Sequence, residues 1–96
     1  MNILYNGKKN KIFAYEYISK NDYVLEVINF GQEEDEKFDL GMQFYGYYTL
    51  ILDTNDNSSS KELFYTREKK AHNKDIALKM HLKPNQVLVY KRMRDI

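Results

Sequence analysis

The hydrophobic pattern of this chain changes character near residue 66. Before it, apolar positions fall in short runs with period two, separated by turn formers, and these predict strands. The longest run is Met42–Leu52, Met-Gln-Phe-Tyr-Gly-Tyr-Tyr-Thr-Leu-Ile-Leu, with one Gly, no Pro and no charge. Period two puts Phe44, Tyr48, Leu50 and Leu52 on one face and Tyr45, Tyr47 and Ile51 on the other. Aromatic and β-branched residues on both faces predict a central strand with something packed on its second face.

Around it the chain reads as a meander. Asn2–Asn6 is a short apolar start, and Asn6-Gly7 is a strong hairpin signal, lengthened by Lys8, Lys9, Asn10 and Lys11. Ile12–Ile18 alternates, with Phe13, Tyr15 and Tyr17 on one face and Ile12, Ala14 and Ile18 on the other. Ser19–Asp22 is a turn, and Tyr23–Phe30 is a third strand. Gly31–Glu36 is an acidic loop whose like charges should keep it exposed and mobile. Lys37–Leu40 predicts a short edge segment, Asp53–Ser60 a polar turn and Glu62–Thr66 a returning strand.

After Thr66 the composition favours a helix. Arg67–Met80 is rich in Lys, Glu, Ala, Leu and Met and has neither Pro nor Gly. Thr66 can cap it, and Ile76, Ala77 and Met80 make an apolar stripe. Residues 74–94 then allow two readings. In one, Pro84-Asn85 is a turn and Gln86–Met93 a final strand, because Val87, Leu88, Val89 and Tyr90 are consecutive strand formers. In the other, Pro84 opens a second helix, Leu82 plugs the corner, and Val87 and Tyr90 face inward. That spacing resembles the helix-turn-helix of bacterial repressors over about twenty residues. The resemblance implies that Asn85, Gln86, Leu88, Val89 and Lys91 face a major groove while Lys83, Arg92 and Arg94 hold phosphates. It departs from the pattern at His81, where the corner residue is usually Gly.

The predicted fold class is therefore α+β: an antiparallel sheet of five or six strands, a meander plus a hairpin, with one helix near 67–80 packed on it. Ninety-six residues fit a single domain, 1–96. The chain has no Cys, which removes disulfides, thiol nucleophiles and thiolate metal sites and is compatible with a cytoplasmic location. No apolar run approaches the roughly 20 residues of a membrane helix, so no membrane partner is expected.

Charge adds the one functional lead. Residues 1–66 hold six Lys and eleven Asp or Glu, whereas residues 67–96 hold nine Lys or Arg and three Asp or Glu. An acidic body with a basic C-terminal segment suggests a polyanionic partner. Lys69, Lys70, Lys74, Lys83, Lys91, Arg92 and Arg94 are the candidate nucleic-acid contacts, and binding through them would be salt-sensitive. The alternative is an inhibitor of the kind carried by phages or mobile elements, binding a host protein through Glu33, Glu34, Asp35 and Glu36.

Catalytic and metal chemistry have less support. Asp53, Asn55 and Asn57 match the first ligands of an EF-hand loop, but Ser58 stands where Gly is needed and Phe64 where the bidentate Glu belongs. His72 and His81, nine apart, fall on different helix faces with no third ligand beside them. Small bacterial ribonuclease toxins are similar in size, and His72, His81, Tyr90 and Arg92 are the residues such chemistry would use. No phosphate loop, nucleophile elbow or rigid carboxylate pair is present. Tyr15, Tyr17, Tyr45 and Tyr47 allow an exposed aromatic face for stacking bases, or a core beneath the helix, and the core reading is preferred. The sequence thus points to a non-enzymatic binding protein with no cofactor or metal, a nucleic acid or a host protein as partner, and no indication of oligomeric state.

Overall fold

Alternation in the sequence becomes strand pairing almost throughout the computed structural model, which describes residues 1–55 and 63–93. The strands are β1 (Asn2–Asn6), β2 (Ile12–Ile18), β3 (Tyr23–Asn29), β4 (Asp35–Met42), β5 (Tyr47–Asp53), β6 (Leu63–Tyr65), β7 (Arg67–Ala71), β8 (Lys74–Leu82) and β9 (Val87–Met93). Six form one antiparallel sheet in the order β1-β2-β3-β9-β5-β6, and three form a second in the order β4-β8-β7. The two sheets enclose one core. Ile12, Ala14, Leu25, Val27, Tyr48, Leu88 and Tyr90 come from the large sheet, and Phe38, Leu40, Met42, Ile76, Leu78, Met80 and Leu82 from the small one.

The expected meander is present as β1, β2 and β3, with Ile12–Ile18 lying in full register against Tyr23–Asn29. The Gly7 amide donates to Ile12 O at 2.9 Å and the Lys11 amide to Gly7 O at 2.8 Å, closing the first turn. The returning strand is β6, paired with β5. Arg94, Asn57, Ser58 and the end of the turn expected at Ser60 lie outside the described residues.

The α+β prediction is overturned. Among the described residues there is no helix, and Arg67–Met80 is the β7–β8 hairpin. The apolar set with period two, Ile76, Leu78, Met80 and Leu82, is buried, while Asp75, Lys79 and His81 point out. Burial of that face outweighs the helix propensity of the Lys, Glu and Ala residues around it. His72 (φ 51°) and Asn73 (φ 63°) make the two-residue turn with both central residues left-handed that joins tight hairpins. The helix-turn-helix resemblance falls with it, because both of its helices are strands. The plainer reading of 84–93 holds: Asn85 (φ 59°) follows Pro84 in a turn, and β9 runs from Val87.

Met42–Leu52 is also not one strand. It breaks at residues 43–46, where the chain crosses from the small sheet to the large one. Tyr48 and Leu50 then face the core. A bulge between Leu50 and Leu52 turns Leu52 to the other face, against the simple alternation.

β9 enters last and joins the halves of the large sheet. It pairs with β3 from Val24↔Lys91 to Ile28↔Val87 and with β5 from Tyr47↔Met93 to Asp53↔Leu88. A buried polar cluster fixes where it starts. The Asn29 side-chain amide donates to Lys83 O at 3.1 Å and to Glu33 O at 3.0 Å. The Gln86 side chain accepts from the Lys83 amide and donates to Asp53 Oδ1, both at 2.8 Å. Both side chains are buried and fully bonded, as buried amides must be to avoid a large desolvation cost.

The β7–β8 turn is seated on β4. A Cβ at Gly41 would lie 2.2 Å from Ala71 O, so only glycine allows the approach. The Gly41 amide donates to His72 Nδ1 at 3.1 Å, and the imidazole packs on Tyr5 with centroids 4.0 Å apart. We expect Gly41→Ala to lose about 1–3 kcal/mol or more in urea denaturation, the cost of forcing an atom into a packed site. An unchanged midpoint would show that the hairpin shifts freely. Burial holds the His72 pKa below its ordinary value, against an opposing pull from Asp39. The unfolded chain therefore takes up this proton first. Stability from His72 is complete above about pH 6.5 and declines as pH falls through the folded value. Urea midpoints from pH 7.5 to 5 should show that decline and a shallower one in His72→Asn, which keeps a residue tolerant of positive φ. Equal slopes would exclude His72 as the cause.

Candidate functional site

The outward face of the large sheet is built from the residues left over by its core. Strand register places them in cross-strand rows. One row is Phe13, Ile28 and Val87. The next runs Ile3, Tyr15, Glu26, Val89 and Leu52 over five strands. A third is Tyr17, Val24, Lys91, Thr49 and Leu63, and a fourth is Met93, Tyr47 and Tyr65. Five strands at about 4.8 Å spacing and the six-residue rise from Val87 to Met93 give a face about 20 Å in each direction. That is on the order of 400 Å², and almost all of it is apolar. Contiguous apolar patches beyond a few hundred Å² are uncommon on monomers and mark interaction sites.

The charged residues within this face are bonded to neighbours. The Lys91 ammonium lies 3.6 Å from Asp22 at the β2–β3 turn, and the Tyr17 hydroxyl donates to Glu26 at 3.4 Å. Burial chiefly, and then the Glu26 charge, push the Tyr17 pKa above its ordinary value. The outward face of the small sheet is the opposite in kind. It carries Lys37, Asp39, Asp75, Lys79 and His81, and both Arg67 and Lys69 bind Asp39, the latter at 2.6 Å. Burial of Asp39 would raise its pKa, but the hydrogen bonds and charges of Lys69 and Arg67 outweigh this and lower it. The sandwich thus has one solvated side and one apolar side.

The four tyrosines weighed from the sequence are not under a helix. Tyr15, Tyr17 and Tyr47 stand on the apolar outer face, and Tyr45 is exposed in the β4–β5 link. The candidate basic residues do not converge. Lys69 and Lys70 are on β7 and Lys74 opens β8, all in the small sheet, while Lys83 lies in the β8–β9 link. Lys91 is on the outer face of the large sheet. Arg92, next to it, points inward, and its Nε and Nη2 both donate to Tyr45 O, at 2.9 and 2.6 Å. Glu33 and Glu34 lie before β4, with Asp35 and Glu36 in its first turn, and Glu34 meets His81 Nε2 at 3.2 Å. His72 sits against Tyr5 and Phe38, His81 on the outer face of β8, and Tyr90 in the core, so no catalytic cluster forms from them. Asp53 accepts from the Asn55 amide at 2.9 Å and from Gln86, as a turn residue does. No three His, Cys, Asp or Glu among the described residues are placed to hold a metal ion.

The sequence does not by itself place Val24, Ile28, Val87 and Val89 on one outward apolar face, and Val89 entered only as a groove-facing residue of the helix-turn-helix reading. The signal was present: Tyr23–Ile28 and Val87–Tyr90 are apolar at nearly every position, so both faces of each strand call for cover.

The link from Met42 to Tyr47 forms a second notable corner. The Tyr48 hydroxyl donates to Phe44 O at 2.9 Å, while burial pushes the Tyr48 pKa up to about 12 despite the opposing Arg92 charge. Arg92 holds Tyr45 O from below and lies over the Phe44 ring, 5.6 Å from its centroid. The Gly46 amide donates to Thr66 Oγ1 at 3.0 Å, and the Thr66 amide to Gly46 O at 3.1 Å. Gly46 has φ 140°, a region that side chains disfavour.

A two-sheet antiparallel sandwich defines the class as an all-β domain. The model of the alpha amylase C-terminal all-beta domain matches residues 5–93, and the chain belongs to this family. Comparison with curated protein sequences finds no match. The family assignment and the absence of a helix together overturn the nucleic-acid-binding regulator read from the charge asymmetry. They likewise replace the host-protein inhibitor and ribonuclease toxin alternatives.

Proposed function

We propose that this chain is a non-catalytic accessory domain of an alpha-amylase-type enzyme and that it docks on the catalytic domain through the outer face of its large sheet. The observation that carries this reading is the apolar set Phe13, Tyr15, Val24, Ile28, Val87, Val89 and Tyr47, interrupted by Glu26 and Lys91, on a face that nothing in the described chain covers. Burying one Val or Leu side chain is worth about 1.5–3 kcal/mol, so a partner over this face gains much by excluding water. A stable interface buries about 800 Å² per partner. The patch is smaller, so it forms the core of the contact; Lys91 reaches Asp22 at its edge, and Glu26, in the middle row, is bonded to the Tyr17 hydroxyl. The family description, the C-terminal all-beta domain of alpha amylase, supplies the kind of partner.

The test is co-expression with the catalytic domain of an alpha-amylase from which the C-terminal domain has been removed, followed by gel filtration. The wild-type chain should co-elute. Val89→Lys puts a charge at the centre of the face and should weaken the complex by at least about tenfold, or 1.4 kcal/mol. Lys79→Glu, on the outer face of the small sheet, should leave it intact. Loss with Lys79→Glu and retention with Val89→Lys would assign docking to the wrong side. Starch cleavage by the domain alone would end the non-catalytic reading.

A further inference from the structure

We propose that Glu26 selects the partner of the outer face: the surface that covers the large sheet brings one cationic side chain to the Glu26 carboxylate. The inference rests on the docking proposal above and names the chemistry that the partner carries at one point of the contact.

Glu26 is a lone carboxylate in the middle of an otherwise apolar row. Register pairs it with Tyr15 on β2 and with Val89 on β9, and Ile3 and Leu52 end the row on either side. Its neighbours along β3 on the same face are Val24 and Ile28. Charges on edge strands guard against unwanted strand pairing. That use does not apply to Glu26, because β3 lies between β2 and β9 and has no free edge.

The domain itself supplies this charge with little. Among the described residues its bond is from the Tyr17 hydroxyl at 3.4 Å, long for an O–H donor. Lys91 is the one cation in the described rows and lies diagonally across the β3–β9 ladder from Glu26. Its ammonium reaches the other way, to Asp22 at 3.6 Å. No described cation forms an ion pair with Glu26.

While solvent reaches the carboxylate, this arrangement costs little. A docked partner removes that solvent. Burying an ionised carboxylate without a counter-charge is strongly unfavourable, and one long bond from a neutral hydroxyl does not offset it. A wholly apolar covering surface is therefore disfavoured, and one that sets an ammonium or guanidinium over Glu26 is favoured. The aromatic rings of Tyr15 and Tyr17 beside the carboxylate add to the attraction for a cation. Lys91 calls for no such partner group, since Asp22 already pairs with it.

The experiment is calorimetric titration of the full chain with the catalytic domain of an alpha-amylase from which the C-terminal domain has been removed. Wild type, Glu26→Gln, Glu26→Leu and Val89→Lys are compared, and circular dichroism establishes that each is folded. Glu26→Gln should weaken binding by about tenfold, and Glu26→Leu by more, because leucine leaves the partner's charge buried with no acceptor. The sign of the Glu26→Leu effect is decisive. A carboxylate that meets no cation is a burden on an apolar contact, and its replacement by leucine strengthens the complex. Binding of Glu26→Leu equal to or tighter than wild type would overturn the inference, and weakening by Val89→Lys in the same series would leave the docking face standing. Wild type that does not bind, or a Val89→Lys variant that binds unchanged, would overturn the docking reading and this inference with it.

Discussion

The fold depends on the insertion of β9. The meander β1-β2-β3 and the hairpin β5-β6 belong to one sheet only because β9 lies between β3 and β5 and bonds to both. The pairing is non-local: Val24 meets Lys91 and Ile28 meets Val87. Bringing such distant segments together has a loop-closure cost that local helices do not have, so assembly of the large sheet waits on its last strand. The Asn29 and Gln86 side chains offset part of that cost. Each binds backbone or side-chain groups of two segments, and with their partners satisfied they allow one register of β9 and no other.

The same insertion explains the asymmetry of the surface. A strand flanked on both edges in mid-sheet presents two faces. On β9 the inward face is Leu88 and Tyr90, which the small sheet covers. The outward face is Val87 and Val89, joined in register to Ile28, Glu26 and Leu52. The small sheet solves its own outer face with charges, using Arg67 and Lys69 on Asp39 over the fully buried Ala77. The large sheet does not. Its sequence is that of a middle layer in a three-layer structure, and the described residues supply two layers.

That middle-layer character was legible from residues 42–52, whose apolar residues on both faces called for a second covering element. The covering element inferred was a helix from this chain, and that inference failed for a specific reason. Arg67–Met80 has the composition of a helix, but Ile76, Leu78, Met80 and Leu82 keep period two through it, and His72-Asn73 suits a tight turn. Period, which reports burial, outweighed propensity. The hairpins, β6, the Pro84-Asn85 turn and β9 were readable because turn chemistry and pattern agreed there. The charge asymmetry misled because sequence proximity is not surface proximity. Antiparallel strands on two sheets separate Lys69 from Lys91, and alternation turns Arg92 inward beside outward Lys91. The tyrosines were identified, but their placement hinged on a helix at 67–80, where the chain forms the β7–β8 hairpin.

Alternation at Lys91-Arg92 also ties the outer face of the large sheet to the β4–β5 corner. Lys91 stands in the rows of the outer face, and Arg92, one residue on, reaches through the sheet's other side to hold Tyr45 O. The strand that carries Val87 and Val89 on the outer face is therefore the strand that fixes the Tyr45 corner. Thr66, between β6 and β7, holds the same corner from the opposite side through Gly46. The register that turns Val87 and Val89 outward therefore also sets the Arg92 guanidinium beneath the Tyr45 corner, so a slip of β9 by one residue would disrupt both at once.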